Sequence, residues 1–322
     1  MRFLLFLSAL MIAAASARAE TPPYPTQPIR IVSGFAAGGV TDSIARFLAE
    51  SIRTRSGQQV TVENKPGASG SIATVDLTRA KPDGYNLMVG GFGGQLIPPL
   101  IIANYPVDVT RDIIHLAGIA EFMNVMTVST RLPVKDVAEF IAYAKQNPGK
   151  LSFGSAGVGS SNYLSAILFM QKTGVEMAHV PYRGGFGPTS DLLAGNIDVV
   201  FENVPIMMGQ GKSDRLRQLA VTGRQRSPQF PDLPTMIEAG IPDYVITSWI
   251  GIYGPPNMPA DLAKRVSDVI VDAALEPAVQ ERMRQIGFQP LGLRTAEFNT
   301  FFQAERARWK EIVDKAGIRL QQ

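Results

Sequence analysis

Two glycine-rich segments stand where a short apolar strand gives way to a helix. The first, Gly34-Phe35-Ala36-Ala37-Gly38-Gly39, follows Ile29-Arg30-Ile31-Val32. The second, Gly154-Ser155-Ala156-Gly157-Val158-Gly159-Ser160, follows Leu151-Ser152-Phe153. Such a loop turns backbone N–H groups toward a helix N-terminus, where the helix dipole adds partial positive charge, so it favours an anion. Glycine lets the backbone approach closely, and Ser155, Ser160 and Ser161 add hydroxyl donors. A tight turn packing helix on strand would use the same residues, so one loop alone is weak. Two in matching places suggest a cleft that holds a carboxylate from both sides.

Other chemistry is narrowed by what the chain lacks. With no Cys there is no disulfide, thiolate metal site or cysteine nucleophile, and two His, His115 and His179, make a multi-His metal site a poor reading. Gly38-Gly39-Val40-Thr41 has no Lys for a phosphate loop. Gly157-Val158-Gly159-Ser160-Ser161-Asn162 has Asn where a dinucleotide fingerprint has Gly, and Gly154-Ser155-Ala156-Gly157 is not a nucleophile elbow. A serine hydrolase would need Ser155 or Ser160 beside His179. Asp42 reads as a charge complementing a helix dipole or as a ligand contact. Arg183, beyond a strand end, reads as a carboxylate partner or a solvated loop residue. Phe35 and Phe92 suit pocket walls or core. Glu202-Asn203 could read an amine or hydroxyl on a ligand, or cap a hinge.

These residues need an α/β frame. Strands at Ile29–Val32, Val60–Val62 and Asn86–Val89 alternate with helices that start near Thr41 and Ile72. A second set has strands at Val125–Val128, Leu151–Phe153, near His179, Ile197–Phe201 and Leu219–Val221. Helices at Pro259–Leu275, Pro277–Ile286 and Thr295–Ala316 close the chain with no strand between them, and pack back onto the first half. The chain then crosses between two lobes near Glu121–Val125 and Ile246–Ile252. The expected division is 20–123 with 248–322, and 124–247.

The composition suits this frame: 322 residues, 45% hydrophobic and 18% charged, below the usual ~25%. Met1-Arg2, the apolar run from Phe3 to Ala15 and Ala17-Arg18-Ala19 read as a cleaved secretory signal. Cleavage after residue 19 would leave 303 of 322 residues. Arg2 and Arg18 go with it, so the formal charge of +3 falls to +1 and no nucleic-acid surface is implied. Without Cys there is no lipid anchor, and the expected compartment is the periplasm.

Several motifs in order complete the sequence picture. Tyr24-Pro25-x-x-Pro28-Ile29-Arg30-Ile31-Val32 leads to Phe35-x-x-Gly38-Gly39-x-Thr41-Asp42. Then come Val62-Glu63-Asn64-Lys65-Pro66-Gly67-Ala68, Pro82-Asp83-Gly84-Tyr85 and Pro148-Gly149-Lys150-Leu151. Gly157-Val158-Gly159-Ser160, His179-Val180-Pro181-Tyr182-Arg183-Gly184 and Leu233-Pro234-Thr235-x-x-Glu238-Ala239-Gly240 follow, and Trp249-x-Gly251 ends the series. Together they resemble the substrate-binding proteins of tripartite tricarboxylate transporters, the Bug proteins, over nearly the whole chain. The resemblance implies a two-lobed periplasmic binding protein of type II, with two doubly wound α/β domains around a cleft. It implies small carboxylates held at the 35–39 and 155–160 loops, and a permease with a large and a small integral-membrane subunit. It implies no enzyme, cofactor or metal, and a monomer. The sequence leaves open whether such a protein serves transport or presents its ligand to a sensor kinase. The candidate binding residues are Phe35, Ala36, Ala37, Gly38, Gly39, Ser69, Phe92, Ser155, Gly157, Val158, Gly159, Ser160, Arg183 and Glu202.

Overall fold

The computed structural model describes residues 23–184, 186–210, 213–315 and 317–319. The signal segment lies outside the described residues. No helix among the described residues is long and apolar enough to cross a membrane.

The first set of elements is β1 (Ile29–Ser33), α1 (Val40–Ser56), β2 (Val60–Asn64), α2 (Ser71–Thr78), β3 (Asn86–Gly91) and the short α3 (Pro98–Ile101). Helix α1 buries Ile44, Phe47, Leu48 and Ile52 on one face, and ends at Gly57, whose left-handed φ of 73° lets its N–H close on Arg53 O. A long strand, β4 (Ile114–Ser129), leads to the second set. That set holds α4 (Val137–Gln146), β5 (Leu151–Ser155), α5 (Ser161–Thr173), β6 (Met177–Pro181), α6 (Gly187–Ala194), β7 (Val199–Asn203), α7 (Val204–Gln210) and β8 (Leu216–Val221). The chain returns through β9 (Thr247–Gly254), α8 (Ala260–Ala274), α9 (Pro277–Gln285), β10 (Gln289–Leu293) and α10 (Thr295–Lys315).

The strands form one curled sheet in the order β2-β1-β3-β9-β4-β7-β5-β6, with β8 and β10 also paired to β4. Within each set the first strands are parallel, as helical crossovers require, whereas β9 runs antiparallel to both β3 and β4. Strand β4 serves both sides. Its residues from Ile114 to Met123 pair with β9, and those from Asn124 to Val128 with β7. Apolar side chains cover both faces. Ile44, Leu48, Val266 and Ile270 from α1 and α8 pack on one face, and Trp249, Phe298, Phe302 and Trp309 gather on another.

Mixed α/β architecture is as the sequence leads one to expect, with three local corrections. A strand, β10, does stand between the closing helices, pairing Gln289 and Pro290 with Glu121 and Ala120 before a bulge. Its Pro and Gly hide it, because Pro in a sheet is confined to edges and bulges. Strand β4 begins at Ile114 rather than Val125; its apolar run carries no clear period of two. Strand β7 sits two residues later than expected, at Val199–Asn203, which makes Glu202 and Asn203 part of the strand.

Candidate functional site

The carboxyl ends of β1, β3, β5 and β7 open onto a common cavity, the usual place for ligands in open α/β sheets. The space open to the centre of a water-sized sphere is about 60 Å³, room for roughly four waters by that measure. Helix α1 reaches it with Gly39, Val40 and Thr41, and α5 with Ser160, Ser161 and Asn162. Gly39 is the N-cap of α1 and has no side chain to occupy the first-turn N–H groups. Ser160 caps α5 by accepting from Tyr163 N at 3.3 Å and donates to Gly157 O at 2.6 Å. Two helix N-termini of 17 and 13 residues therefore face one cavity. This is an electropositive setting built without a cationic side chain.

Apolar walls come from Phe35, Phe92, Phe122, Ile206 and Ile250. The loops approach closely at glycines. A Cβ on Gly93 would lie 3.5 Å from Ser160 Cα, and one on Gly184 would lie 3.5 Å from the Phe35 side chain. Ser69 Oγ donates to Val158 O at 2.8 Å, a further tie between the two sets of loops.

The floor is a buried polar network. Asn203 Nδ2 donates to Asn124 Oδ1 at 2.7 Å and to Ser161 Oγ at 2.9 Å, and Asn124 Nδ2 donates to Ser165 Oγ at 3.0 Å. Glu202, 2% exposed, accepts from Asn162 Nδ2 at 2.9 Å and Asn203 N at 2.8 Å through Oε1. Through Oε2 it accepts from Thr189 Oγ1 at 3.0 Å. Burial pushes its pKa up to about 7, with the three donors opposing the rise.

Of the sequence-derived candidates, Phe35, Gly39, Phe92, Ser160 and Glu202 line the cavity. Ser69, Gly157 and Arg183 line an adjoining recess that shares Phe35 and Ala156 with it. Ala36, Ala37, Gly38, Ser155, Val158 and Gly159 line neither of the two. The Gly38 N–H is already committed to Asp42 Oδ2 at 3.0 Å. Asp42 is held below the usual carboxylate range: burial would raise it, but Arg46 and the Gly38 amide outweigh that. Asp42 thus braces the loop. Ser155 is fully buried; its Oγ lies 2.7 Å from His179 Nε2 and accepts from Gly157 N at 3.1 Å. The imidazole stacks on Phe153 at 4.8 Å, and burial lowers its pKa. The pair fixes the turn of the second glycine loop.

Sequence reasoning left Thr41, Phe122, Asn203 and Ser248 out of the set. Phe122 and Ser248 face each other across β4 and β9, from positions far apart in the chain. Asn203 stands out in the sequence beside Glu202 as a reader of an amine or hydroxyl, although the candidate set keeps only Glu202. A larger recess of about 570 Å³ lies by Arg111, Lys264, Asp268 and Arg294. Its cations are already paired, Arg294 with Asp268 and Asp272, Lys264 with Asp268 and Arg111 with Asp112.

A two-lobed α/β fold with such a cavity is that of a periplasmic solute-binding protein. The chain belongs to the tripartite tricarboxylate transporter family of receptors, whose family model matches residues 44–318. It is 32% identical over 307 residues to a UPF0065 protein from the tcbD-tcbE intergenic region of Pseudomonas sp. strain P51, covering 95% of this chain and 91% of that one. It is 30% identical over 308 residues to BugT of Bordetella pertussis, covering 95% and 94%. Among solved structures it superposes on Rpa4515 of R. palustris, determined with adipate, with a TM-score of 0.89 at 31% identity, over 93% of this chain and 100% of that one. MatC from Rhodopseudomonas palustris, with bound malate, gives 0.84 at 26% identity, over 90% and 100%.

Proposed function

We propose that this protein captures a small mono- or dicarboxylate, aliphatic or aromatic, in the periplasm and delivers it to a permease of the tripartite tricarboxylate type. The observation that carries this reading is the convergence of the α1 and α5 N-termini on one cavity. The ligand carboxylate sits between them, taking N–H groups of the first turns. Phe35, Gly39, Phe92, Ser160 and Glu202 wall it, and Ser69, Gly157 and Arg183 flank the entrance. Ala36, Ala37, Gly38, Ser155, Val158 and Gly159 shape the two loops. Adipate in Rpa4515 and malate in MatC support a carboxylate here.

Capture proceeds by hinge closure between a lobe of residues 20–123 with 248–322 and a lobe of residues 124–247. The protein acts as a monomer, released after cleavage of the segment ending at Ala19. The closed form is the one the permease subunits recognise. It binds no cofactor or metal and does not catalyse.

A carboxylate panel in thermal unfolding tests the reading. A ligand at 100 times its Kd adds about 2.7 kcal/mol of stability. Small-angle scattering should show compaction with the same ligand. No shift with any carboxylate would sink the reading. Esterase activity abolished by Ser155→Ala or His179→Ala would replace it with a hydrolase.

A further inference from the structure

Resting on the capture reading above, we propose that Glu202 serves capture as a neutral acid, so that the carboxylate enters the cavity together with one proton held by Glu202. Among the described residues lining the cavity, Glu202 is the one side chain that is an acid or a base. Positive potential comes from the α1 and α5 N-termini, each worth roughly half an elementary charge. Together they balance about one anion, not two. An ionised Glu202, 2% exposed, would take that compensation for itself. A ligand carboxylate would then meet a like charge in a buried space, with no cationic side chain among the described lining residues to offset the pair. A proton on Glu202 removes the conflict and leaves both helix ends to the ligand.

The hydrogen bonds around Glu202 suit the neutral form. Two N–H donors converge on Oε1, Asn162 Nδ2 at 2.9 Å and Asn203 N at 2.8 Å, as at a carbonyl oxygen. Oε2 meets a hydroxyl, Thr189 Oγ1 at 3.0 Å. A hydroxyl accepts as well as donates, so a proton on Oε2 has an acceptor in place. Among the described residues, the charges on the surrounding elements are engaged elsewhere. Strand β4 pairs with β7 over Asn124–Val128, a stretch without charge, and Val125 stands opposite Glu202. Earlier in β4, Glu121 faces Glu305 and Arg308 of α10, and His115 packs on Phe302. Strand β5 and helix α7 carry no titratable side chain. In α5, Tyr163 packs on the His179 ring and Lys172 donates to Pro242 O. In α6, Asp191 accepts from Tyr182 Oη and Asn196 Nδ2. His179 of β6 is bonded to Ser155, and Arg217 of β8 donates to Val134 O. Burial without a counter-ion already favours the protonated carboxyl in the free cavity, and a bound anion favours it further.

The test is calorimetric titration of the full chain with acetate, succinate, malate, adipate and benzoate at about pH 6.5 and about pH 8.5, where the ligand carboxyls are ionised. The tightest of them should bind roughly 20-fold more weakly at the higher pH, because free Glu202, with its pKa at about 7, must first be protonated. Titrations in HEPES and in Tris, buffers of different ionisation enthalpy, should show uptake of nearly one proton per ligand at the higher pH and about a quarter at the lower. Glu202→Gln copies the neutral acid: its amide oxygen accepts from Asn162 and Asn203, and its amide nitrogen donates to the Thr189 hydroxyl. That variant should bind roughly 20-fold tighter than wild type at the higher pH, with no proton uptake and no pH dependence. Equal wild-type affinity at the two pH values, proton uptake that persists in Glu202→Gln, or weaker binding by that variant at the higher pH would overturn the proposal and leave carboxylate capture standing. Should the variant not fold, infrared difference spectra of the wild type at the higher pH decide. Adding ligand should bring up the C=O band of a buried protonated carboxyl, and its absence overturns the proposal. No binding of any of these ligands at either pH would refute both readings.

Discussion

Glu202 ties the stability of the free protein to pH. Its pKa rises from 4.5 to about 7 on folding, so between those values the folded chain holds a proton the unfolded chain has released. The favourable contribution is complete below about pH 4.5 and is lost as pH rises through about 7, a swing of about 3 kcal/mol. Urea unfolding of wild type and Glu202→Gln, compared from pH 4 to 8, should show the wild type losing stability relative to the variant across that window; parallel curves would contradict it. Gly91 sets a steric limit: a Cβ there would lie 2.1 Å from Trp249 O. Gly91→Ala should cost about 3 kcal/mol in the same assay; a cost under about 1 kcal/mol would show that β9 yields. At this scale the sequence was partly legible. Glycines and hydroxyls after strands marked the loops, and Glu202 stood out as a polar residue closing an apolar strand. Ser248 and Phe122 were not legible, because their facing depends on the register of β4 against β9. Nor could the sequence show that Ser155 turns toward His179 and Gly38 toward Asp42, since loop conformation decides which groups remain free.

Helix caps separate stability from binding at the scale of elements. Ser160 caps α5 at the cavity, and Asp136 caps α4 away from it, accepting from Glu139 N at 2.8 Å. Ser160→Ala and Asp136→Ala should each cost about 1 kcal/mol in unfolding. Ser160→Ala alone should weaken ligand binding, because it frays the turn whose N–H groups line the cavity. Equal Kd values for both variants would detach α5 from recognition. Elements were legible where period and caps agreed, as in α1, with its apolar face and Gly57 stop. They were not where turn residues masked a strand, as in β10, or where an apolar run had no period, as in the first half of β4.

The molecule as a whole is held at one crossing by Thr222. Its Oγ1 accepts from Asn124 N at 2.9 Å and donates to Ile246 O at 2.7 Å. Its backbone bonds both Asn124 O and Ile246 N, each at 2.9 Å. The residues flanking the two passages between strand sets are thus pinned to one side chain. Thr222→Val should lose about 2 kcal/mol, by stranding a buried donor and acceptor. It should also shift the scattering profile of the ligand-free protein; an unchanged profile would show that Thr222 does not set how the two strand sets are held together. The sequence leads one to expect two passages, near 121–125 and 246–252, since strand-loop-helix units repeat on either side of them. It does not single out Thr222, which lies in neither passage.

The pairing of β3 with β9 also bears on biogenesis. Strand β3 and helix α1 are made early, yet β9 and α8, which cover them, come from the last quarter of the chain. A chain synthesised or threaded from its N-terminus would therefore show an open strand edge and a bare apolar helix face until its final segment arrives. The pairing that covers β3 and α1 therefore forms last and slowly, through contacts between distant parts of the chain.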